Sequence, residues 1–182
     1  MAMTLITTNT EAGDTSSAFT SSIDSTYKLY IFKFLNLNPA DDGSAASILT
    51  FQANASSQSG YNETLTSAFF SSKHGEDDGG ASIQFEDGEE ISQGTGYQQL
   101  TRSGIGSSAD ESGAGTLWLF NPSNTTYVTH WQATFTYYTP SSGVHNDFIA
   151  GYFNVTAAIT NLNFKFYNDS AFDGVIKMYG VG

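Results

Sequence analysis

The acidic residues of this 182-residue chain are the ones whose spacing comes closest to that of a chemical site, in this case a metal site. Several short acidic runs stand beside Gly or Ser, and their candidate metal ligands are Glu76, Asp77, Asp78, Glu86 and Asp87. Calcium takes several loop oxygens, and glycine lets a backbone curl around an ion. A Ca²⁺ site, the one cofactor that the sequence suggests, would therefore lie in residues 76–90. The D-x-D-x-D-G spacing of a calcium loop is absent, so we favour solvated turns that keep the surface soluble.

Paired carboxylates are also the machinery of glycoside hydrolysis, in which two of them project from strands into a groove. The strand pattern places no Asp or Glu inside a core strand, with Asp147 and Asp173 only at strand starts. This pattern weighs against an enzyme that acts on polysaccharides.

Nucleophilic and metal-dependent chemistry find equally little support. Residues 25–28 match S-x-x-K, but the partner motifs of that site are missing. The chain has no Cys, and His74, His130 and His145 lack the spacing of metal ligands. We therefore predict a non-enzymatic protein with no catalytic residue.

Exposed aromatic residues are the alternative route to a binding site, because sugars stack on aromatic rings. The ligand-contact candidates are Tyr97, Tyr137 and Tyr138. Most of the aromatic residues are expected to be structural, since a protein of this size needs them in its core and at subunit contacts.

The overall composition excludes several classes of partner. The net charge is −12, with only six Lys and Arg residues, which argues against nucleic acid and against an anionic membrane surface. No apolar run is long enough for a spanning helix, and the first residues do not resemble a signal peptide. We expect no membrane insertion.

The elements that would position these residues are strands. Residues 26–37, TYKLYIFKFLNL, are apolar at both odd and even positions, which predicts a central strand covered on both faces. Further short apolar runs alternate with turn residues along the chain. The pattern predicts an all-β protein, an antiparallel β-sandwich or jelly roll of about ten to twelve strands with no substantial helix. We expect one domain over residues 1–182, with long acidic Gly-rich loops near 74–96 and 103–115.

Four lysines lie inside aromatic strands, at Lys28, Lys33, Lys165 and Lys177. A lysine on a strand blocks edge-to-edge pairing or pairs with a carboxylate of a neighbouring subunit. Either role suits a protein that assembles in one controlled way.

Three segments carry a family resemblance. They are the opening, MAMTLI with FTSSIDSTY at 19–27; LFNPSNTTYV at 119–128; and the ending FDGVIKMYGV at 172–181. Together they resemble a family of small virion proteins of marine tailed bacteriophages, in which a GxIKxYG ending recurs. The matching motifs are strands and turns, so they point to no active site.

The resemblance implies a non-enzymatic β-sandwich on a phage particle, a homotrimer that contacts phage capsid or tail proteins. Its location would be the virion, assembled in the cytoplasm of the bacterial host. One head-like domain favours a capsid decoration or cement protein. The alternative is a receptor-binding tail fibre or tip, whose loops 74–96 and 103–115 would contact host surface glycans. A sandwich enzyme acting on polysaccharide is the weakest alternative.

Overall fold

The computed structural model of the chain describes residues 2–43 and 45–182, and these residues form an all-β protein. A single 3-10 turn lies at Tyr167–Asp169. The strands are β1 Met3–Asp14, β2 Ser17–Phe19, β3 Leu29–Pro39, β4 Leu49–Ala55, β5 Leu65–Gly75, β6 Ser82–Phe85, β7 Gln98–Gln99, β8 Gly113–Phe120, β9 Thr129–Thr139, β10 Gly143–Phe153, β11 Ile159–Phe166 and β12 Phe172–Val181. The described residues contain no helix that is long and apolar enough to cross a membrane.

Two sheets of unequal size make up the sandwich. The larger has eight strands in the order β1-β12-β3-β8-β9-β10-β5-β6, and the smaller has four in the order β2-β11-β4-β7. Neighbouring strands in both sheets are antiparallel. The predicted antiparallel β-sandwich is confirmed.

Aromatic rings fill the space between the sheets. Phe164 of β11 lies at the centre, with its ring centroid 5.0 Å from that of Phe34 and 5.5 Å from that of Phe32 on β3. It also contacts Phe19 at 6.0 Å and Phe51 at 6.1 Å. All five rings are buried, and several pairs meet edge to face, the geometry that aromatic pairs prefer.

The prediction that residues 26–37 are covered on both faces is wrong. In β3 Tyr30, Phe32 and Phe34 are buried, but the odd positions from Leu29 to Lys33 are half-buried and Leu35 is 41% exposed. The cause is that the smaller sheet packs on only one face of the larger one. The strand that is buried along its whole length is β4, whose Gln52 Nε2 donates to backbone carbonyls of the neighbouring loops.

The two acidic segments differ in structure. Residues 74–96, which the sequence assigns to one long loop, contain β6, a short edge strand that pairs with β5. Residues 103–112 form a loop, and β8 begins earlier than expected, at Gly113. Gly115 lies against the ring of Phe135, where a Cβ atom would overlap the ring.

The long aromatic strand β9 alternates between two faces, because residues 126–138 carry aromatic side chains at odd positions and mostly polar ones at even positions, a pattern that predicts a half-exposed strand. Trp131, Phe135 and Tyr137 are buried, while His130 and Gln132 on the other face are exposed. Tyr127 precedes the strand and is 71% exposed, so it does not belong to the buried face.

The central position of Phe164 leads to a stability prediction. We expect Phe164→Ala to lower the free energy of unfolding by about 3–5 kcal/mol, because it opens a cavity that four other rings cannot fill. Tyr127→Ala is the control and should change it by less than about 0.5 kcal/mol. Urea unfolding measures both, and a similar small effect of the two substitutions would contradict this description of the core.

Candidate functional site

The acidic residues proposed as calcium ligands lie at separate places. Glu76, Asp77 and Asp78 are exposed in the turn between β5 and β6. Asp77 Oδ1 accepts a hydrogen bond from the Gly79 N–H at 3.0 Å, and Asp78 Oδ1 lies 3.4 Å from Nε2 of His74. Among the described residues, no three Asp, Glu or His side chains come together as a metal site would require. The geometry of this turn is that of a solvated hairpin.

Glu86 is held by groups of the chain itself. It is buried, and its Oε2 lies 2.6 Å from Nε of Arg102, while Oε1 accepts from Ser71 Oγ and, at 2.9 Å, from Gln84 Nε2. Burial acts to raise the pKa of Glu86, but the hydrogen bonds from these three residues outweigh it and hold the pKa below its ordinary value. Asp87 is the exposed neighbour that follows.

Asp147 is the residue that the sequence argument misplaced. Because the turn after β9 is tight, β10 begins at Gly143, and Asp147 therefore lies inside a core strand and is fully buried. Its Oδ2 accepts from the backbone N–H of Arg102 at 2.7 Å and from the Tyr137 hydroxyl at 2.9 Å. Oδ1 accepts no hydrogen bond from the described part of the chain. Burial raises the pKa of Asp147 to about 7.

Tyr137 is a correction to the list of ligand-contact candidates. It is buried, its hydroxyl donates to Asp147, and the same oxygen accepts from the Ser103 N–H at 2.9 Å. Burial, followed by the charge of Asp147, raises the pKa of this phenol. Tyr137 therefore fastens the loop 103–112 to the larger sheet and does not face solvent. His145 lies beside it, and burial lowers the pKa of its imidazole.

The other two candidate tyrosines lie on different parts of the surface. Tyr97 precedes β7 in the smaller sheet, where Asn163 Nδ2 donates to its hydroxyl at 3.2 Å and Lys165 Nζ lies 4.6 Å from its ring centroid. Tyr138 is on the larger sheet, and its hydroxyl donates to Glu76 Oε2 at 3.3 Å. The structure does not bring Tyr97, Tyr137 and Tyr138 together into one platform.

The largest functional candidate is the outer face of the larger sheet, the face turned away from the smaller sheet. One row of directly opposed residues crosses all eight strands on this face, and we call it the outer-face row. In strand order from β1 to β6 it consists of Thr8, Lys177, Lys33, Thr116, Thr134, Phe148, Phe70 and Phe85.

The two ends of the outer-face row have different chemistry. Lys33 and Lys177, the cationic end, are half-buried, and neither takes part in the ion pairs of the described residues. Phe148, Phe70 and Phe85 form the aromatic end. The rings of Phe70 and Phe148 stack at 4.8 Å with an interplanar angle of 10°. Phe70 is 40% exposed and Phe85 is 77% exposed.

Sequence reasoning missed both the buried cluster around Asp147 and the outer-face row. The in-strand lysines and the alternation of residues 126–138 were visible signals for part of the row. The register that sets Lys33 opposite Lys177, and Phe148 opposite Phe70, joins strands that are far apart in the chain. Local patterns do not contain that information.

Comparisons with known proteins add little. No protein-family model matches the chain, and no curated protein matches its sequence. Solved structures that are similar to it include two of infectious bursal disease virus: the Gx strain, with a TM-score of 0.17 and 12% identity, and a VP2 subviral particle, with 0.16 and 10%. The alignment with each viral structure covers 99% of this chain but only 41% of the viral chain. Likeness at these TM-scores supports no conclusion about the fold or the function of this chain.

The buried carboxyl group of Asp147 predicts a specific pH dependence of stability. Its folded-state pKa of about 7 lies above the ordinary 3.8, so between these values the folded state binds a proton that the unfolded state does not. This group therefore makes stability fall as pH rises from about 4 to about 7, by at most about 1.4 kcal/mol per pH unit.

Asp147→Asn should abolish this contribution, because the amide is neutral at every pH. Relative to the wild type, the variant should therefore be more stable at pH 8 than at pH 4. Urea unfolding of both proteins across this pH range measures the difference. A difference in unfolding free energy that does not change with pH would contradict the assignment.

The ion pair of Arg102 and Glu86 leads to a second stability prediction. Arg102→Met leaves a buried carboxylate without its cation, which costs about 3–5 kcal/mol for a fully buried pair. Because the Arg102 side chain is 32% exposed, we expect a smaller loss, about 2 kcal/mol. Glu86→Gln in the same chain should recover part of it. A double-mutant cycle by urea unfolding measures the coupling, and a value near zero would rule out this role.

Proposed function

We propose that this chain is a non-enzymatic structural protein of a bacteriophage particle, which acts by packing the outer face of its larger sheet against protein. The observation that supports the proposal most strongly is that, among the described residues, this face carries eight of the ten large apolar side chains that are at least 39% exposed. The family resemblance of the opening, the 119–128 segment and the ending supports the virion as the location, with assembly in the bacterial cytoplasm.

The exposed apolar residues are concentrated rather than scattered. Those on the outer face that are at least 39% exposed are Met3, Leu5, Leu35, Phe70, Ile83, Phe85, Phe120 and Val144. Soluble monomers rarely expose apolar patches of more than roughly a few hundred Å², and larger ones mark interaction sites. Single exposed residues would need no explanation, but a shared sheet face does.

The buried carboxylates support a role without catalysis. Asp147 and Glu86 are bonded to the loop that covers them, and Glu63 Oε1 accepts from the Ala55 N–H at 2.8 Å. A glycoside hydrolase needs two carboxyl groups that reach a substrate in a groove. These carboxyl groups instead accept hydrogen bonds from groups of the chain itself.

Capsid decoration is the favoured location on the particle, because one head-like domain suits a compact protein on the shell. The second candidate is a tail fibre or tip that binds host glycans. One observation favours it: an open cleft of about 450 Å³ on the outer face, lined by Phe120, His130, Gln132 and Tyr152 among others. Aromatic and amide groups around a cleft are the groups that bind sugars.

The test is to locate the chain on the intact particle by cryo-EM and to count its copies by quantitative mass spectrometry. We expect density that repeats over the whole head, with the outer face of the larger sheet in a protein contact. Density confined to the tail would favour the glycan-binding alternative and would contradict decoration. Absence of the chain from purified particles would overturn the proposal.

A further inference from the structure

Among the described residues, the cationic end and the aromatic end of the outer-face row do not contact each other. Lys33 and Lys177 lie directly opposite each other on neighbouring strands, a pairing of like charges that destabilises a sheet. The nearest aromatic ring of the row, Phe148, is separated from Lys33 by strands β8 and β9. With strands about 4.8 Å apart, that separation is about 14 Å, far beyond the reach of a cation–π contact.

We propose that a second copy of this chain covers the outer face, related to the first by a two-fold axis that runs parallel to the strands between β8 and β9. This inference concerns the isolated chain and does not rest on the proposed function. The axis passes between Thr116 and Thr134, the middle of the outer-face row. It maps the cationic end of each copy onto the aromatic end of the other.

The residues that meet across this axis are complementary. Counting outward from the axis, Thr116 faces Thr134, Lys33 faces Phe148 and Lys177 faces Phe70 of the second copy. Each ammonium group can then reach the ring face that the stack of Phe70 and Phe148 leaves free, where the attraction is electrostatic and grows when the pair is desolvated. The same contacts occur twice, as an isologous interface requires.

The adjacent row of the same face fits under the same operation. In this row Tyr179, Ile31 and Trp118 lie on one side of the axis, and Gln132, Ala150 and Ala68 lie on the other. The two-fold axis sets Tyr179 against Ala68 and Ile31 against Ala150. Large side chains therefore meet small ones, which is how two sheet faces interdigitate about 10 Å apart.

The size of the face agrees with a stable dimer. The seven strands that have at least eight residues span about 29 Å at about 4.8 Å spacing, and eight residues of strand span about 27 Å, so their common face measures about 800 Å². Each partner of a standard protein interface contributes about 800 Å². The two-fold arrangement also differs from the homotrimer that the family resemblance implies, so the two can be distinguished by mass.

The experiment uses two charge-changed variants whose defects are designed to cancel. The cationic-end variant carries Lys33→Glu and Lys177→Glu, which sets carboxylates over the rings of the second copy. The aromatic-end variant carries Phe70→Lys and Phe148→Lys, which sets lysines against lysines. Each variant alone should associate at least about a hundredfold more weakly than the wild type. A mixture of the two should form a heterodimer, because one contact becomes an ion pair and the other stays native.

Matched controls carry the same changes away from the row. Lys28→Glu with Lys73→Glu has the net charge of the cationic-end variant, and Tyr127→Lys with Tyr167→Lys has that of the aromatic-end variant. Both controls should associate like the wild type. Sedimentation velocity over the micromolar range gives the masses, with twice the 19.5 kDa of one chain expected for the wild type and for the mixture.

Several results would overturn the proposal. They are a wild-type chain that stays at 19.5 kDa throughout the range, a trimer, single-end variants that still dimerise, or a mixture that yields no heterodimer. Heterodimer formation would also show that both variants are folded. The virion experiment above has an independent outcome, since a chain that dimerises need not belong to a particle.

Discussion

The rest of the structure depends on the packing of the smaller sheet against a single face of the larger one. Four strands pack on one face of eight, so the aromatic core around Phe164 forms on that side only. Burial of one sheet face supplies the hydrophobic stabilisation of the fold, while the other face of the larger sheet stays uncovered. The same strands that place Phe32 and Phe34 in the core place Lys33 and Leu35 outside.

One end of the larger sheet extends beyond the smaller sheet and is closed by polar groups. The loop at 102–112 takes the place of a strand there, with its backbone held by Asp147 and Tyr137 and its Arg102 paired with Glu86. Apolar side chains at this end of the sheet would not have satisfied the backbone N–H groups of residues 102 and 103. The buried carboxyl group meets this need, and its raised pKa is the consequence of its burial.

Sequence patterns predicted the fold class, most strands and the alternation of β9, because these follow from local periodicity. They failed where partners decide the outcome. Leu29 and Ile31 are apolar and were predicted to be buried, but nothing in the local sequence shows that no second layer packs on their face of the strand. The sequence pattern predicts a longer turn before β10, and it therefore places Asp147 at the start of the strand and not inside it. The outer-face row was inaccessible to sequence reasoning, since its members come from every part of the chain between Thr8 and Lys177.

We infer that protein covers the outer face of the larger sheet when the chain is assembled. Hydroxyl-radical footprinting of the dilute chain and of its assembled form tests this claim most directly. We predict that Phe70 and Tyr179 lose reactivity on assembly while Tyr167, outside the larger sheet, keeps it. Unchanged reactivity of Phe70 and Tyr179 in the assembled form, with protection at Tyr167 instead, would contradict the account.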